Sequence, residues 1–451
     1  MRSTEAAAAR PGRRPSAPWV GLVATLLLVA LAFALPRLLD WEVFARSTPD
    51  HAVPPLHGRW EPNLFGPGTV PAVLIALAGW RWALGWAERL PWRILLPASY
   101  AVGLGWLLAL AFVDGPEGIS RVLGNPYEYL QTARDTTDVS QMLHEFVDRI
   151  PYSAPDNWVT HVAGHPPGAL LVFVGLVRVG LGGDFAAGMT VTVLAASLPV
   201  AVLVALRALG AEAAARRAAP FLVLSPAAVF TAVSADALFA TVAAWGLAAL
   251  ALAATRDRRA AGVGWSVLAG TLLGWCVLLS YGLPLIGLVA LAVLVAARSW
   301  SPLPVAAVAA AGVVLGFAAA GFSWWEAYPV LRERYWDGIA ADRPASYWLW
   351  GNLAALALSA GPLLGAGLAR LTTRSGRTDR VVTLLVAGAA AAVVLADASL
   401  MSKAEVERIW LPFVPWLLLS TVLLPERWRR WGLGLQLLTA LLVQHLLYTT
   451  W

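Results

Sequence analysis

The 451-residue sequence is poor in charge and in cysteine. Only 13% of its residues are Asp, Glu, Lys or Arg, and its one cysteine, Cys276, lies in an apolar run. A single cysteine excludes an intramolecular disulfide framework and a zinc ribbon, since each needs several thiols. So little charge does not suit the surface of a soluble protein of this length. The absences therefore exclude small disulfide-stapled folds and weaken any assignment to a soluble class.

The sequence is correspondingly rich in apolar residues. They account for 59% of the chain, the mean hydropathy is +0.67, and runs of about 18 apolar residues recur, which is the length that crosses a bilayer core. The pattern predicts an all-α polytopic membrane protein with about thirteen transmembrane helices. The predicted spans are 19–36, 69–87, 93–113, 186–206, 219–233, 236–254, 262–280, 283–297, 303–322, 349–369, 381–399, 409–424 and 431–448.

The apolar stretch 166–181 is not counted as a span, because charge decides the topology. If it crossed the membrane, the arginine-rich loops after it would face outward, against the positive-inside rule. If it lies along the outer interface, the cytoplasmic segments carry 20 Lys/Arg against six Asp/Glu, and the outer segments carry 12 against 21. We therefore expect 166–181 to be an interfacial helix.

This topology gives one transmembrane domain, residues 19–451, behind a basic cytoplasmic tail, residues 1–18. We expect the first apolar segment to be a retained span and the protein to lie in the plasma membrane of a bacterium. The polar chemistry then faces outward, and amphipathic helices lie in the largest outer loop. The predicted outer loops are 37–68, 114–185, 324–348 and 400–408.

Two carboxylates in the loop 114–185 are candidates for chemistry. Asp114 ends the third span, and it either marks the water boundary or is a carboxylate held above a membrane-embedded substrate. Glu128 lies in "GNPYEYLQTARD", where Asn125-Pro126 predicts a helix start and Tyr129 belongs to a contact surface. The alternative for Glu128 is a solvated position on an amphipathic interfacial helix.

Two histidines follow in "THVAGHPPGALL". His161 and His165 have the spacing of a helical metal clip, but a metal site needs three or four ligands, and the two prolines disfavour a helix through His165. One alternative is that His165 caps the helix that the prolines start. The other is that both histidines contact a phosphate or a sugar hydroxyl.

Charged residues near two later span ends complete the candidate set. Lys403, Glu405 and Arg408 precede the apolar segment from Trp410, and the two cations are suited to a lipid phosphate at headgroup level. The alternative is an interface belt. Asp236 at the outer start of a span is either an acid of the first helical turn or part of the same outer cavity.

The order of these motifs resembles the glycosyltransferase-C superfamily, whose members include bacterial aminoarabinose transferases and protein O-mannosyltransferases. The resemblance covers roughly residues 93–424. It consists of an acid at the start of the first large outer loop, an acid-Tyr-Leu helix, "HPPG", "RALGAEAAARRAA", "LVLSPAAVFTAVSADALF" and a late "EVERIWLPFVPWLLL". The chain differs from the common pattern in having two spans ahead of the loop-bearing one.

The resemblance implies an integral membrane glycosyltransferase, of mannosyltransferase-like type, that uses a polyprenyl-phosphate sugar donor and a lipid or glycan acceptor. It implies a catalytic carboxylate at Asp114, with Glu128 as the second candidate, and an Arg408 that contacts the lipid phosphate. No cofactor is required, although a divalent metal on the two acids and a histidine stays an alternative. No nucleic acid is expected as a partner. A transporter or a flippase for lipid-linked sugars is the competing function.

Overall fold

The computed structural model describes residues 16–47, 51–256, 259–373 and 379–449, which form an α-helical bundle. Most of the predicted basic tail, residues 1–18, lies outside the described residues. One short antiparallel pair, β1 (Arg59–Trp60) with β2 (Leu447–Tyr448), joins the segment between α1 and α2 to the end of the last helix. The strand pair is part of the structure that closes one end of the bundle.

The helices of the first half are α1 (Ala17–Leu38), α2 (Thr69–Ala78), α3 (Leu84–Arg89), α4 (Trp92–Ala111), α5 (Glu117–Ser120), α6 (Tyr129–Asp135), α7 (Val139–Glu145), α8 (Thr160–Ala163), α9 (Pro167–Arg178), α10 (Asp184–Ala195), α11 (Leu198–Ala208) and α12 (Glu212–Val223). Those of the second half are α13 (Ala228–Thr231), α14 (Ala235–Thr255), α15 (Arg259–Leu279), α16 (Gly287–Ala297), α17 (Leu303–Ala319), α18 (Trp324–Trp336), α19 (Ala345–Ser359), α20 (Leu363–Leu371), α21 (Arg380–Ala398), α22 (Val406–Ile409), α23 (Val414–Leu418) and α24 (Arg429–Leu446).

Among the described residues, seven helical stretches are long and apolar enough to cross a membrane, or nine if two sharply bent pairs each count as one span. The seven are Ala17–Leu38, Thr69–Arg89, Trp92–Asp114, Asp184–Ala208, Ala235–Thr255, Ala260–Leu279 and Arg380–Ala398. The bent pairs are α17 with α18, at 74°, and α19 with α20, at 109°. The all-α prediction is confirmed, and the prediction of about thirteen spans is wrong.

The excess spans fail for physical reasons. The predicted span 219–233 is interrupted, because α12 ends at Val223 and only the single turn α13 follows. The segments 283–297 and 409–424 are apolar but form short helices. The last segment, 431–448, does form α24, but this helix begins with two arginines and carries buried glutamines. Apolar composition alone does not distinguish these segments from continuous spans.

Gln436 explains how the sharp bend between α19 and α20 is tolerated inside the bundle. Gly361 takes a φ of +86° at the bend, which favours glycine. The fully buried Gln436 accepts a hydrogen bond from the N–H of Leu363 at 3.2 Å and donates one to the carbonyl of Ala360 at 2.7 Å. Backbone groups freed by the break are thus satisfied by α24, as an apolar environment requires.

The helix α9 has 12 residues, about 18 Å at 1.5 Å per residue, and is too short to cross a bilayer core of about 30 Å. Pro167 occupies its first position, where a missing N–H costs nothing. Gly168 lies so close to α15 that a Cβ there would stand 2.5 Å from the carbonyl oxygen of Leu278. The "HPPG" sequence therefore starts a short helix that packs tightly on a long one.

The two ends of the bundle differ in charge. At one end, Arg216 donates to the carbonyl of Leu90 at 2.8 Å, and Arg429 pairs with Glu88 at 2.6 Å. Helices also end or begin near this end with Arg207, Arg256, Arg298, Arg370 and Arg380. The opposite end holds most of the acidic residues that the sequence singles out, as the predicted topology requires.

Candidate functional site

A cluster of buried ionised groups lies at the acidic end of the bundle, where three segments meet. Helix α4 continues there into the turn Phe112–Asp114, α14 begins there at Ala235, and residues 400–405 lead from α21 into α22. The long segment that contains α5 to α9 folds over the same end and supplies two more elements, α6 and α8.

Arg408 on α22 is the centre of this cluster. Its guanidinium lies 3.0 Å from a carboxylate oxygen of Asp236 and 3.0 Å from one of Glu405, and its distance to Glu128 is 3.9 Å. Arg408, Asp236 and Glu128 are buried, with Glu128 only 1% exposed. One guanidinium thus contacts three carboxylates, two of which, Glu128 and Asp236, are distant from Arg408 in the sequence.

The charges in the cluster stabilise one another. Burial alone would raise the pKa of Glu128, but the adjacent His161 and Arg408 outweigh it and hold the pKa below its usual value. Burial alone would lower the pKa of Arg408, but Asp236, Glu405 and Glu128 raise it above the ordinary value. Glu128 is therefore an ionised carboxylate and Arg408 a cation throughout the physiological range.

The two histidines of "THVAGHPPGALL", His161 and His165, make different contacts in the structure. The ring Nδ1 of His161 lies 2.5 Å from Glu128, whose other carboxylate oxygen is buried and has no hydrogen-bond partner among the described residues. His165 has its Nδ1 at 2.9 Å from the carbonyl oxygen of His161. Since a carbonyl only accepts, Nδ1 of His165 carries the proton, and burial lowers its pKa, so the ring is neutral. The helix α8 ends at Ala163, so the two rings do not share one helical face.

Tyr129 anchors Glu128 by packing rather than by charge. Its buried ring stacks on Phe173 of α9 at 5.0 Å and meets the ring of His165 edge-on at 5.8 Å. The predicted helix start at Asn125-Pro126 is wrong by a few residues, because α6 begins at Tyr129 and Glu128 is its N-cap residue. That position fixes the carboxylate at the helix end and points it toward α22.

The backbone before Arg408 is strained and tightly held. Ala404 and Glu405 have φ of +69° and +63°, in the left-handed region that residues other than glycine rarely adopt. The N–H of Ala404 donates to Asn352 at 3.2 Å, and Arg343 donates to the carbonyl of Lys403 at 2.5 Å. Such strain persists where surrounding contacts over-determine the conformation, and it commonly marks functional sites.

Lys403 lies apart from the Arg408 cluster. Its ammonium donates to the carbonyl of Arg343 at 2.8 Å and lies 4.5 Å from the ring centre of Trp336, and the residue is buried. The predicted pairing of Lys403 with Arg408 around one phosphate is therefore not the arrangement in this structure. Its contacts stabilise the strained loop instead.

Sequence reasoning missed His57 and Glu407. The backbone N–H of His57 donates to Glu407 at 2.7 Å, and its ring lies 3.6 Å from Glu405. Burial raises the pKa of the Glu407 carboxyl to about 7. Glu407 stands in the same charged run as Arg408, a signal that could have indicated it, whereas His57 lies in a loop without a recognisable motif.

Asp114 forms a second group beside the cluster. Its carboxylate accepts hydrogen bonds from Asn63 at 3.0 Å and from Arg121 at 3.1 Å, and Gln444 is 3.5 Å away. The guanidinium of Arg121 also lies 4.4 Å over the ring of Tyr448. Asp114 is thus held by residues of the segment between α1 and α2, of the 114–185 loop and of the last helix.

Two neighbouring spaces, which share lining residues, lie next to Asp114. The larger is an open cavity of about 470 Å³, and the smaller is a gap of about 20 Å³, which is enough for a water molecule. Asp114, Arg121 and Gln444 line both, and Arg408 lines the gap. The gap therefore separates the Asp114 carboxylate from the Arg408 guanidinium.

The structure thus brings together most of the residues that the sequence singles out. Glu128, Tyr129, His161, His165, Asp236, Glu405 and Arg408 form one cluster. Asp114 faces the cluster across the gap, and Lys403 is separate.

Asp236 lies in the first turn of α14 but does not cap it, since Ser234 accepts the N-cap hydrogen bond from Ala237. Within the described ranges, no three His, Cys, Asp or Glu residues are placed to hold a metal ion together.

Neither a protein-family model nor a curated protein sequence matches the chain, so its function is inferred from the site.

Proposed function

We propose that the protein is an integral membrane glycosyltransferase that transfers a sugar from a polyprenyl-phosphate donor to an acceptor hydroxyl at the extracytoplasmic face. The observation that carries the proposal is the lining of one gap by both Asp114 and Arg408. A carboxylate can take the proton of an acceptor hydroxyl, and a guanidinium can stabilise the phosphate that leaves. The resemblance in motif order to the glycosyltransferase-C superfamily supports the same reaction.

Asp114 is the better candidate for the general base. A base has to come within hydrogen-bond reach of the proton that it removes, and Asp114 borders the 470 Å³ cavity. Glu128 is 1% exposed and is enclosed by His161 and Arg408. We assign Glu128 the role of a positioning residue that fixes the Arg408 guanidinium and the His161 ring.

The proposed reaction inverts the anomeric carbon. The acceptor oxygen gives its proton to Asp114 and forms a bond to the anomeric carbon, while the bond from that carbon to the phosphate oxygen breaks. The electron pair of the broken bond stays on the polyprenyl phosphate, which Arg408 stabilises, with Arg121 on the cavity side. A phosphate that displaced Asp236 or Glu405 from Arg408 would leave the buried guanidinium paired, as a buried charge requires.

The test is release of polyprenyl phosphate in proteoliposomes supplied with polyprenyl-phosphate hexoses and pentoses and a panel of acceptors. We expect Asp114→Asn to lower kcat by roughly 100-fold or more, the usual contribution of a general base. Glu128→Gln should lower activity less and weaken donor binding. Glu117→Gln, an exposed acid three residues after Asp114, is the matched control and should keep full activity. Near-full activity in both Asp114→Asn and Glu128→Gln would overturn the assignment.

Transport of a lipid-linked sugar is the second candidate, because two helix pairs are sharply bent at short breaks. Broken helices beside buried charges are common in transporters. If the protein is a transporter, a fluorescent polyprenyl-phosphate analogue in the same proteoliposomes should become accessible to an external quencher, with no release of polyprenyl phosphate from the sugar donor. Release of polyprenyl phosphate without movement of the analogue would favour the transferase.

A further inference from the structure

The 470 Å³ cavity has an apolar rim on one side. Leu64 and Phe65 are among the most exposed large apolar side chains of the described chain, at 70% and 75%, and Phe65 lines the cavity. Trp60, on β1, is 51% exposed nearby in the sequence. Two adjacent large apolar side chains exposed to this degree are typical of a surface that meets lipid or a partner, and Trp is typical of the membrane interface.

Close backbone contact fixes this rim beside Asp114. A Cβ on Gly66 would lie 1.8 Å from the carbonyl oxygen of Val113, and one on Gly68 would lie 2.1 Å from that of Ala109. The segment after Phe65 therefore lies directly on the outer end of α4, which only glycine permits. Immediately afterwards, at Thr69, the chain enters a candidate span of which only 22% is buried within the protein. The rim is thus continuous with a helix that faces lipid.

The interior of the cavity has different chemistry. Asn63 and Gln444 supply amides, Glu61 and Asp114 supply carboxylates, and Arg121 supplies a guanidinium. Groups of both signs beside amides suit several hydroxyl groups, which both donate and accept hydrogen bonds, better than they suit a second phosphate. The cavity is therefore polar inside and apolar where it borders the membrane.

We infer that this cavity binds the acceptor, and that the acceptor is a lipid-anchored polyol whose hydroxylated headgroup enters the cavity while its alkyl chain passes over Leu64 and Phe65. The inference rests on the proposed glycosyl transfer. A headgroup in this position presents a hydroxyl to Asp114, which lines the cavity, and keeps its chain in the outer leaflet. A soluble polyol has no alkyl chain, so contact with Leu64 and Phe65 would not strengthen its binding.

The test compares acceptors that differ only in their chain. Methyl and decyl glycosides of glucose, mannose and galactose are offered to proteoliposomes that contain the full chain and a polyprenyl-phosphate sugar. The release of polyprenyl phosphate is then measured. We expect the KM of the decyl glycoside to be about tenfold lower than that of the methyl glycoside, because burying about two methylene groups on the rim has an effect of this size. An equal KM for both glycosides would overturn the inference in favour of a soluble acceptor.

Variants separate binding at the rim from simple partition into the bilayer, which enriches the decyl glycoside for every variant alike. Phe65→Ser and Leu64→Ser should each raise the KM of the decyl glycoside several-fold and leave that of the methyl glycoside unchanged. Phe185→Ser, an exposed phenylalanine at the start of α10, is the matched control and should change neither. An unchanged decyl KM in both rim variants would overturn the inference while the transferase stands. Absence of phosphate release with every acceptor would instead defeat the proposed function itself.

Discussion

At the scale of single residues, the site depends on Arg408, whose guanidinium contacts carboxylates from three separate segments. Arg408→Gln leaves Asp236 and Glu128 buried without their cation, and breaking a buried pair in this way costs about 3–5 kcal/mol. We expect a loss of this size in the free energy of unfolding, measured in detergent, and loss of transfer. Arg408→Lys keeps the charge but not the planar fork, so it should restore stability in part and activity less.

The control for this prediction is an ion pair of two solvent-exposed side chains. Arg134 pairs with Asp184, and their side chains are 36% and 43% exposed; the Arg134 guanidinium also donates to the carbonyl of Gly182 at 2.8 Å. Arg134→Gln should lower stability by less than about 1 kcal/mol, as is usual for exposed pairs. Equal losses in Arg134→Gln and Arg408→Gln would contradict the buried cluster.

Glu407 predicts a pH dependence of stability. Its pKa is 4.5 in the unfolded chain and about 7 in the fold, because burial favours the neutral carboxyl. The native state then binds the extra proton, so this group makes stability fall as pH rises from about 4.5 to about 7. His57, whose pKa burial lowers to about 3, gives the opposite slope below about pH 6.5.

The difference in melting temperature between the native chain and Glu407→Gln isolates the contribution of Glu407. This difference should change between about pH 4.5 and about pH 7. A constant difference from pH 4 to 8 would refute the prediction.

At the scale of elements, α9 offers a matched pair of glycines. Gly168→Ala would place a Cβ 2.5 Å from the carbonyl oxygen of Leu278, so α9 has to move away from α15, at a cost of about 1–3 kcal/mol. Gly175→Ala, on the same helix, meets open space and should be neutral or stabilising by up to about 1 kcal/mol. Melting temperatures and transfer activity would both fall in the first variant only. Equal melting temperatures would show that α9 is not packed on α15 as described.

Elements were predicted well where apolar length and charge agree. The seven continuous candidate spans all correspond to predicted ones, and α9, which the charge asymmetry excluded from the spans, is too short to be one. The errors lie where an apolar segment is broken by long-range contacts. Gly361-Pro362 indicates a break within 349–369, but nothing local shows that Gln436, on another helix, satisfies the freed backbone.

The site illustrates the same limit. Charged residues at the ends of apolar segments were recognisable one by one, because charge at such positions is costly. Their pairing was not, since 172 residues separate Asp236 from Arg408 and no local pattern encodes that contact. The same holds for the placement of Lys403 against Trp336, which depends on the strained loop.

At the scale of the whole molecule, the charge difference between the two ends predicts their sides of the membrane. In a background in which Cys276→Ala removes the natural thiol, Asp156→Cys lies on the acidic end and Arg217→Cys on the arginine-rich end, both at exposed positions. In intact cells, an impermeant maleimide should label the first and should reach the second only after permeabilisation. Labelling of Arg217→Cys in intact cells would reverse the topology.

The ion cluster around Arg408 also has a consequence for biogenesis. A chain leaving the ribosome delivers Glu128 and Asp236 to the membrane boundary long before Arg408 is synthesised, with 172 residues between Asp236 and its partner. Until α22 arrives, the two carboxylates have to stay hydrated or protonated, so the outer ends of α6 and α14 cannot close. Chains truncated before residue 406 therefore keep this end open, and surveillance proteases of the membrane should degrade them faster than the complete protein.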